Sequence, residues 1–141
     1  MDKDAFFWQT QDGRLPTPPA AATLGITITR VDPAAGTLEA SFEALPSFCN
    51  PVGNIQGGFL AAMLDDTMGP ALAATLAAGE FAPTLNLNVQ FFSPARVGSL
   101  QSKGRVTRRG KDICHLAAEL FQDDRLVASA TATAVIRKTG T

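Results

Sequence analysis

The longest apolar tract of the sequence, residues 57–79, constrains more than any other feature what this chain can fold into. It is rich in Ala, Leu and Met, which favour helices, and it is apolar on every face. Its length would suit a membrane span, but Asp65, Asp66 and Pro70 near its middle are costly in hydrocarbon. We therefore predict a helix buried inside a folded domain, bent or interrupted at Pro70.

Runs of alternating apolar and polar residues lie on both sides of this tract and predict strands. Two runs precede it, at residues 26–31 and 37–43, and four follow it, at 84–92, 100–107, 113–121 and 126–136. The short connections between successive runs are typical of antiparallel neighbours. Because a helix without a solvated face needs other structure around it, we predict an α+β fold in which an antiparallel sheet wraps a long central helix.

Length, charge and cysteine content narrow the class of protein. The 141 residues fit one domain covering 1–141, with residues 1–25 as a helical lead-in. A net charge of -1 provides no field to attract a polyanion, so nucleic acid is not an expected partner. Cys49 and Cys114 lie too far apart in sequence for a local zinc or redox motif, and we predict no metal and no cofactor. Because the first residues lack the features of a secretory signal, we expect a cytoplasmic protein without a membrane partner.

Two carboxylates within the apolar tract need an explanation, because ionised side chains are rarely buried without a partner. At least one of Asp65 and Asp66 should therefore face a cavity. One interpretation is structural: the side chain reaches an exposed gap or caps a neighbouring loop. The other is a general base or nucleophile, since an apolar pocket raises the pKa of a carboxyl group towards neutrality.

The step Gln56-Gly57-Gly58 stands where the predicted helix begins. The first N–H groups of a helix have no intrahelical acceptor, and the helix dipole favours negative charge there. Glycine also permits close approach of a ligand carbonyl, so this step predicts an oxyanion site, although a flexible turn would have the same composition. Together with a carboxylate two turns along the same helix, it would place a carbonyl-polarising N–H and a base at the two ends of one short slot.

A set of residues spread along the chain now suggests a family. The set comprises Asn50, Gln56-Gly57-Gly58, Asp65, Thr84 and the strand end Phe92-Ser93-Pro94-Ala95. Over about residues 20–138 the chain resembles the hotdog-fold acyl-CoA thioesterases of the phenylacetate-pathway (PaaI-like) type. These proteins usually carry His-Gly-Gly followed by an acidic residue eight positions after the first glycine. That spacing selects Asp65 rather than Asp66 as the functional carboxylate.

The resemblance implies a hotdog fold, in which two subunits pair their sheets edge to edge and build their sites at the interface. It implies that Asp65 activates the hydrolytic water or attacks the thioester directly, and that the Gly57 amide polarises the thioester carbonyl. Asn50 and Thr84 would position the carbonyl or the water, with Thr84 acting on the Asp65 of the neighbouring subunit. The product would be a free carboxylic acid and coenzyme A, the latter being part of the substrate and not a cofactor.

Three further expectations concern substrate contacts. Gly58 and Asn54 are predicted to bind substrate beside the helix start. Gln56 departs from the family pattern, because its amide can donate a hydrogen bond but cannot carry a proton as histidine does. A basic cluster near a predicted hairpin turn is either a solvated turn or a seat for the phosphates of coenzyme A. This cluster includes Arg108, Arg109 and Lys111.

Two other functions stay open at this point. One is a non-catalytic acyl-CoA-binding protein, and the weaker one is a hotdog hydratase or dehydratase, which would pair a carboxylate with a histidine. The single histidine, His115, lies outside any such motif, and we expect it to be structural. The sequence leaves medium-chain and aromatic acyl groups equally open. It predicts a homodimer or a dimer of dimers, the latter being a homotetramer.

Overall fold

The computed structural model describes residues 1–139. The first half of the chain contains three α-helices, two strands and a short 3-10 helix (Pro46–Phe48). The α-helices and strands are α1 (Phe6–Gln11), α2 (Pro19–Leu24), β1 (Thr27–Asp32), β2 (Thr37–Ala44) and α3 (Gly57–Ala73). The second half contains six strands: β3 (Glu80–Phe81), β4 (Thr84–Phe91), β5 (Gly98–Arg109), β6 (Ile113–Gln122), β7 (Arg125–Val135) and β8 (Arg137–Lys138). The predicted order of two strands, a long helix and four longer strands is therefore confirmed.

The main sheet has six strands in the order β1-β2-β5-β6-β7-β4, and all neighbours are antiparallel. β4 follows α3 in the chain but pairs with β7, which places it at one edge of the sheet while β1 forms the other. β3 and β8 form a separate two-stranded ladder. The sheet and the single long helix confirm the α+β class predicted from the sequence.

Helix α3 is shorter than the predicted tract, and Pro70 does not interrupt it. Proline removes the N–H that would bond the carbonyl of Asp66, but three further residues stay helical. The helix ends at Ala73, where the Thr75 side chain and backbone both donate to the Leu72 carbonyl and satisfy one acceptor of the last turn. Its C-terminal boundary therefore lies before the predicted end at residue 79.

One side of α3 packs against β2, β5, β6 and β7 and supplies the centre of the core. The buried residues of this side recur at helical spacing, and they are Leu60, Met63, Leu64, Thr67, Met68, Ala71 and Leu72. The other side carries Asp65, Asp66 and small residues, and it is only half-buried. The sheet therefore leaves one stripe of the helix accessible, and both carboxylates lie on it.

The N-terminal lead-in folds over the second half of α3. The indole N–H of Trp8 donates to the Ala74 carbonyl at 3.0 Å, and the Asp2 carboxylate accepts from the Ala78 N–H at 2.8 Å. Phe7 is buried in the core. These contacts hold α1 against the C-terminal end of α3.

Helix and sheet approach most closely where Thr67 meets β5. A Cβ atom added to Gly104 would lie 2.8 Å from Thr67 Cγ2 and 3.1 Å from the Thr67 carbonyl oxygen. In the same place the buried hydroxyls of Thr67 and Ser102 lie 2.8 Å apart, and Thr67 donates to the Met63 carbonyl at 2.7 Å. Since Thr67 gives its single proton to Met63, Ser102 donates to Thr67. Glycine at position 104 therefore permits the helix to rest directly on the strand.

We expect Gly104→Ala to lower the free energy of unfolding by about 1–3 kcal/mol, because the added methyl group overlaps Thr67 and the core cannot yield without strain. Chemical denaturation measures the effect. Gln101→Ala is the matched control on the same strand, since its side chain is exposed, and it should change stability by less than about 0.5 kcal/mol. Equal stability of the two variants would contradict the role given to this contact.

Candidate active site

The first residues of α3 differ in how their N–H groups are bonded. The Gln56 side-chain oxygen accepts from the Gly58 N–H at 2.9 Å, and the Gln56 backbone carbonyl accepts from the Phe59 N–H at 3.0 Å. Gly57, between them, donates its N–H to no group among residues 1–139. Gln56 is therefore the capping residue of the helix, and Gly57 offers the donor that a developing oxyanion needs. Gly58 is predicted to bind substrate, but its N–H already donates to the Gln56 side chain.

The loop before α3 is organised by Asn50. Its side-chain oxygen accepts from the N–H groups of Val52 and Asn54 at 3.0 and 3.1 Å. The Asn50 N–H in turn donates to the Asn54 carbonyl at 2.7 Å. The side-chain amide of Asn50 has no acceptor in the part of the chain that the structure describes, so it can still donate to a ligand.

A cavity of about 340 Å³ lies between this loop, the start of α3 and the end of β4. Asn50, Asn54 and Gly57 line it together with Phe91 and Phe92. The structure therefore brings three of the residues predicted from the sequence to one cavity. A Cβ atom added to Gly57 would lie 3.2 Å from the ring of Phe91, so Phe91 lies directly beside the helix start. The alternating strand pattern did not indicate this proximity.

Asp65 and Thr84 meet on the accessible stripe of α3. The Thr84 hydroxyl donates to Asp65 Oδ1 at 3.0 Å, which orients the carboxylate and leaves Oδ2 available. This hydrogen bond forms within one chain, whereas the resemblance implied that Thr84 acts on the neighbouring subunit. For the assembled dimer, the role of Thr84 towards the partner's carboxylate stays a prediction.

Gly57 and Asp65 do not share one slot within a single chain. They are eight residues apart on α3, which corresponds to about 12 Å along the helix axis. A carbonyl held by one group could not be approached closely by a water held at the other, because reacting atoms must lie about 3 Å apart. The interpretation of a slot along one helix is thus corrected by the helix geometry.

The second carboxylate has a different environment. Burial, followed by the negative charge of Asp65, raises the pKa of Asp66 to about 6. Its Oδ2 atom is inaccessible and has no hydrogen-bond partner within the described residues. The raised basicity expected for one of the two carboxylates is therefore found at Asp66.

The basic cluster lies at the other end of α3. The Arg109 guanidinium donates to the carbonyl and the hydroxyl of Thr75, just beyond the helix C-terminus. Arg108 and Lys111 are exposed on the same hairpin. The structure does not bring these three side chains to the cavity beside Gly57, and His115 is exposed on β6.

Residues 1–139 contain neither a grouped set of metal ligands nor a membrane-spanning helix. No three His, Cys, Asp or Glu side chains in this range are grouped so that they could hold a metal ion. None of the helices there has both the length and the apolar character needed to cross a membrane.

Known proteins share this architecture. The sequence profile of the thioesterase superfamily matches residues 52–129. A phenylacetic acid degradation-related protein from Ralstonia eutropha JMP134 is 46% identical, with a TM-score of 0.91 over 92% of this chain and 98% of that one. The PaaI protein of E. coli, from the phenylacetic acid degradation operon, has a TM-score of 0.80 at 21% identity, covering 95% of this chain and 94% of its own. At that identity the likeness shows the fold alone.

A relative from Pseudomonas aeruginosa, named for an esterase activity, is 34% identical over 84 residues. The match covers 59% of this chain and 63% of that relative's length. The profile match takes in the start of α3, Asp65, Thr84 and most of the sheet, and the solved structures reproduce the helix within its antiparallel sheet. By both sequence and architecture the chain belongs to the thioesterase superfamily, in its PaaI-like hotdog-fold branch.

Proposed function

We propose that this protein hydrolyses an acyl-CoA thioester to a free carboxylic acid and coenzyme A, at a site shared by two copies of the chain. The observation that carries the proposal is the pair of prepared groups on α3. One is the unoccupied N–H of Gly57, and the other is the Asp65 carboxylate held by Thr84. The first suits a carbonyl oxygen that becomes negative, and the second suits proton removal from water.

In the proposed reaction the Gly57 N–H and the free amide of Asn50 bind the thioester carbonyl oxygen. Asp65 takes a proton from water, and the water oxygen adds to the carbonyl carbon. The carbon–sulfur bond then breaks, and the thiolate of coenzyme A leaves and takes the proton that Asp65 received, which restores the carboxylate. In the alternative, an Asp65 oxygen attacks the carbonyl carbon and expels the thiolate, and water then hydrolyses the resulting mixed anhydride to the free acid and the Asp65 carboxylate. In single-turnover hydrolysis in ¹⁸O-labelled water, label in the Asp65 side chain shows direct attack, because water that adds to the Asp65 carbon of the anhydride leaves its oxygen there.

A shared site follows from the separation along the helix. If Gly57 comes from one copy and Asp65 with Thr84 from another, the carbonyl and the water can meet although about 12 Å separates the two groups in one chain. The edge strand β4 supports such pairing. It has an unpaired edge and carries Leu85, Leu87 and Phe91, which are 58%, 36% and 54% exposed. Exposed apolar edge strands invite pairing with a second chain.

The proposed assembly is a homodimer, or a dimer of dimers, and the proposed compartment is the cytoplasm. The two cysteines are both free, which suits a reducing compartment. We propose no metal or cofactor, because coenzyme A arrives as part of the substrate. Release of free thiol from a panel of acyl-CoAs tests the activity. Saturable binding without thiol release would instead support a non-catalytic acyl-CoA-binding protein.

Asp65→Asn should lower kcat by about 100-fold or more, since general-base assistance contributes about 10²- to 10⁴-fold. The substitution is nearly isosteric, so circular dichroism and melting temperature should stay close to wild type. Asp66→Asn is the matched control one residue along, and it should lower kcat for octanoyl-CoA far less. The reverse order of the two variants would mean that the functional carboxylate is Asp66.

Gly57→Pro should lower kcat by about 100-fold, because it deletes the proposed oxyanion donor. Proline suits the first position of a helix, and Gln56, with ψ of 138°, already has the extended backbone that a following proline requires. Gly57→Ala is the control, since it adds a Cβ beside Phe91 but keeps the N–H. Comparable losses in both variants would show a steric effect instead of a lost donor.

Mixed dimers of Gly57→Pro and Asp65→Asn chains extend this test to the shared site. Each mixed dimer would contain one site with both groups intact, so random pairing of the two inactive chains should restore about a quarter of wild-type activity. Light scattering of the same samples gives the oligomeric state. If the mixture stays inactive although mixed dimers form, the site lies within one chain.

Gln56→Ala should lower kcat/KM by roughly 10-fold, the loss of one neutral hydrogen bond. It should also reduce stability by about 1 kcal/mol, because the cap on the Gly58 N–H is lost. Gln56→His should stay active, and the acid limb of the pH profile should follow a carboxylate in all three proteins. A loss in Gln56→Ala as large as that in Asp65→Asn would make Gln56 a principal catalytic group.

A further inference from the structure

A buried glutamine at the end of β6 binds the loop that forms one wall of the candidate site. Gln122 is 5% exposed, although its side chain carries a polar amide. Its Oε1 atom accepts from the Arg96 N–H at 2.8 Å, and its Nε2 atom donates to the carbonyls of Arg96 and Ser99 at 2.9 and 3.3 Å. Since both N–H groups of the amide are used, Gln122 fixes the backbone of Arg96 through its N–H and its carbonyl alike.

The bound loop comprises residues 92–97, which join β4 to β5, and we call it the β4–β5 loop. Its first three residues line the same cavity as Gly57. The Phe92 N–H donates to the Val127 carbonyl at 2.8 Å, which attaches the start of the loop to β7. Gln122 attaches its end to β6, so two strands of the sheet determine where this wall of the cavity lies.

The β4–β5 loop is also joined directly to the start of α3. The Ile55 N–H donates to the Ala95 carbonyl at 2.8 Å, and both residues are buried. Ile55 lies two residues before Gly57, and Ala95 lies next to Arg96. A short path of hydrogen bonds therefore leads from the Gln122 side chain, through the backbone of the loop, to the segment that presents the Gly57 N–H.

Loss of the Gln122 amide would act along this path. The N–H and carbonyl of Arg96 would lose their partners, and the loop would shift until other groups satisfied them. The Gln56 N–H, which donates to the Phe48 carbonyl at 2.8 Å, holds the other side of the segment before α3. A shifted loop should therefore displace the Gly57 N–H without unfolding the helix start. Displacements of about 0.5 Å suffice to weaken a donor aimed at a reacting atom.

We propose that Gln122 is a positioning residue for the hydrolysis: through the β4–β5 loop it holds the Gly57 N–H where the thioester oxygen becomes negative. The inference rests on the proposed thioester hydrolysis and adds a residue to it. Gln122 touches no reacting atom. Because the contact of an oxyanion donor strengthens as negative charge develops, its misplacement lowers kcat more than it raises KM. A role in stability alone would not produce this difference.

The first test replaces the amide with an apolar side chain of similar length. With the acyl-CoA that wild type hydrolyses fastest, Gln122→Met should lower kcat at least 10-fold and change KM by less than about 3-fold. Circular dichroism identifies a temperature at which both proteins are fully folded. Gln101→Met is the matched control, since it makes the same replacement at an exposed glutamine and should keep wild-type kcat. An unchanged kcat in Gln122→Met overturns the proposal.

A double-mutant cycle shows whether Gln122 acts through the Gly57 donor. Gly57→Pro has no N–H to misplace, so adding Gln122→Met to it should lower kcat by less than about 2-fold further. If the two losses multiply instead, Gln122 acts elsewhere in the fold and the proposal is overturned. Should Gln122→Met fail to fold, Gln122→Asn keeps the amide on a side chain one CH₂ shorter. It should lower kcat at least 3-fold with KM nearly unchanged, and wild-type kcat in this variant would also overturn the proposal.

Amide hydrogen exchange separates failure of this inference from failure of the proposed function, because it needs no substrate. In the ¹⁵N-labelled protein, Gln122→Met should lower the protection of the Arg96 and Ile55 amides at least 10-fold, relative to the Leu64 amide in the middle of α3. If wild type releases no thiol from any acyl-CoA, the proposed hydrolysis fails, and this result still supports the link from Gln122 to the helix start. Unchanged protection at Ile55 overturns the inference whether or not the protein is active.

Discussion

The contact of α3 with β5 at Gly104 sets the geometry of everything else. The helix rests on the strand without an intervening side chain, and the Thr67–Ser102 hydrogen bond fixes its rotation at the same point. Because successive helical residues turn by about 100°, fixing Thr67 towards the sheet turns Asp65 and Asp66 away from it. The proposed chemistry depends on this rotation, since a small turn of the helix would bury one carboxylate in the core.

The two adjacent carboxylates divide between two environments. Asp65 has a hydroxyl donor from the strand after the helix, and Asp66 has apolar walls built by the N-terminal lead-in. Burial among these walls raises the pKa of Asp66 to about 6, so the lead-in helps to set the protonation of that carboxyl group. The lead-in helices therefore affect the site although they lie outside the part of the chain that the superfamily profile matches.

Much of the fold was predictable from local patterns. The alternating runs indicated the strands, because one face of the central strands β2, β5, β6 and β7 packs on the helix and the other faces away from it. The spacing of Gly57 and Asp65 pointed to the family, since both groups must occupy defined positions on one helix. The helix C-terminus was misplaced because an apolar tract does not mark where its last carbonyls are satisfied, as the Thr75 contact with Leu72 does here.

The remaining features depend on contacts distant in sequence. Gln56 is not a preferred capping residue, so no local signal indicated that its side chain would bind the Gly58 N–H. The hydrogen bond of Thr84 to Asp65 within one chain depends on where β4 enters the sheet. The walls around Asp66 come from three separate segments, and no periodicity within one segment could have indicated them.

The position of β4 in the sheet also has a consequence for synthesis on the ribosome. β4 emerges soon after α3 and the two-residue strand β3, but its neighbour β7 is made only after β5 and β6. During that interval the nascent chain exposes both edges of a partly apolar strand, and β5 and β6 can pair with β2 without it. β4, the strand that bears Thr84 and Phe91, therefore gains its partner only when β7 has been made. Formation of the candidate site waits for completion of β7.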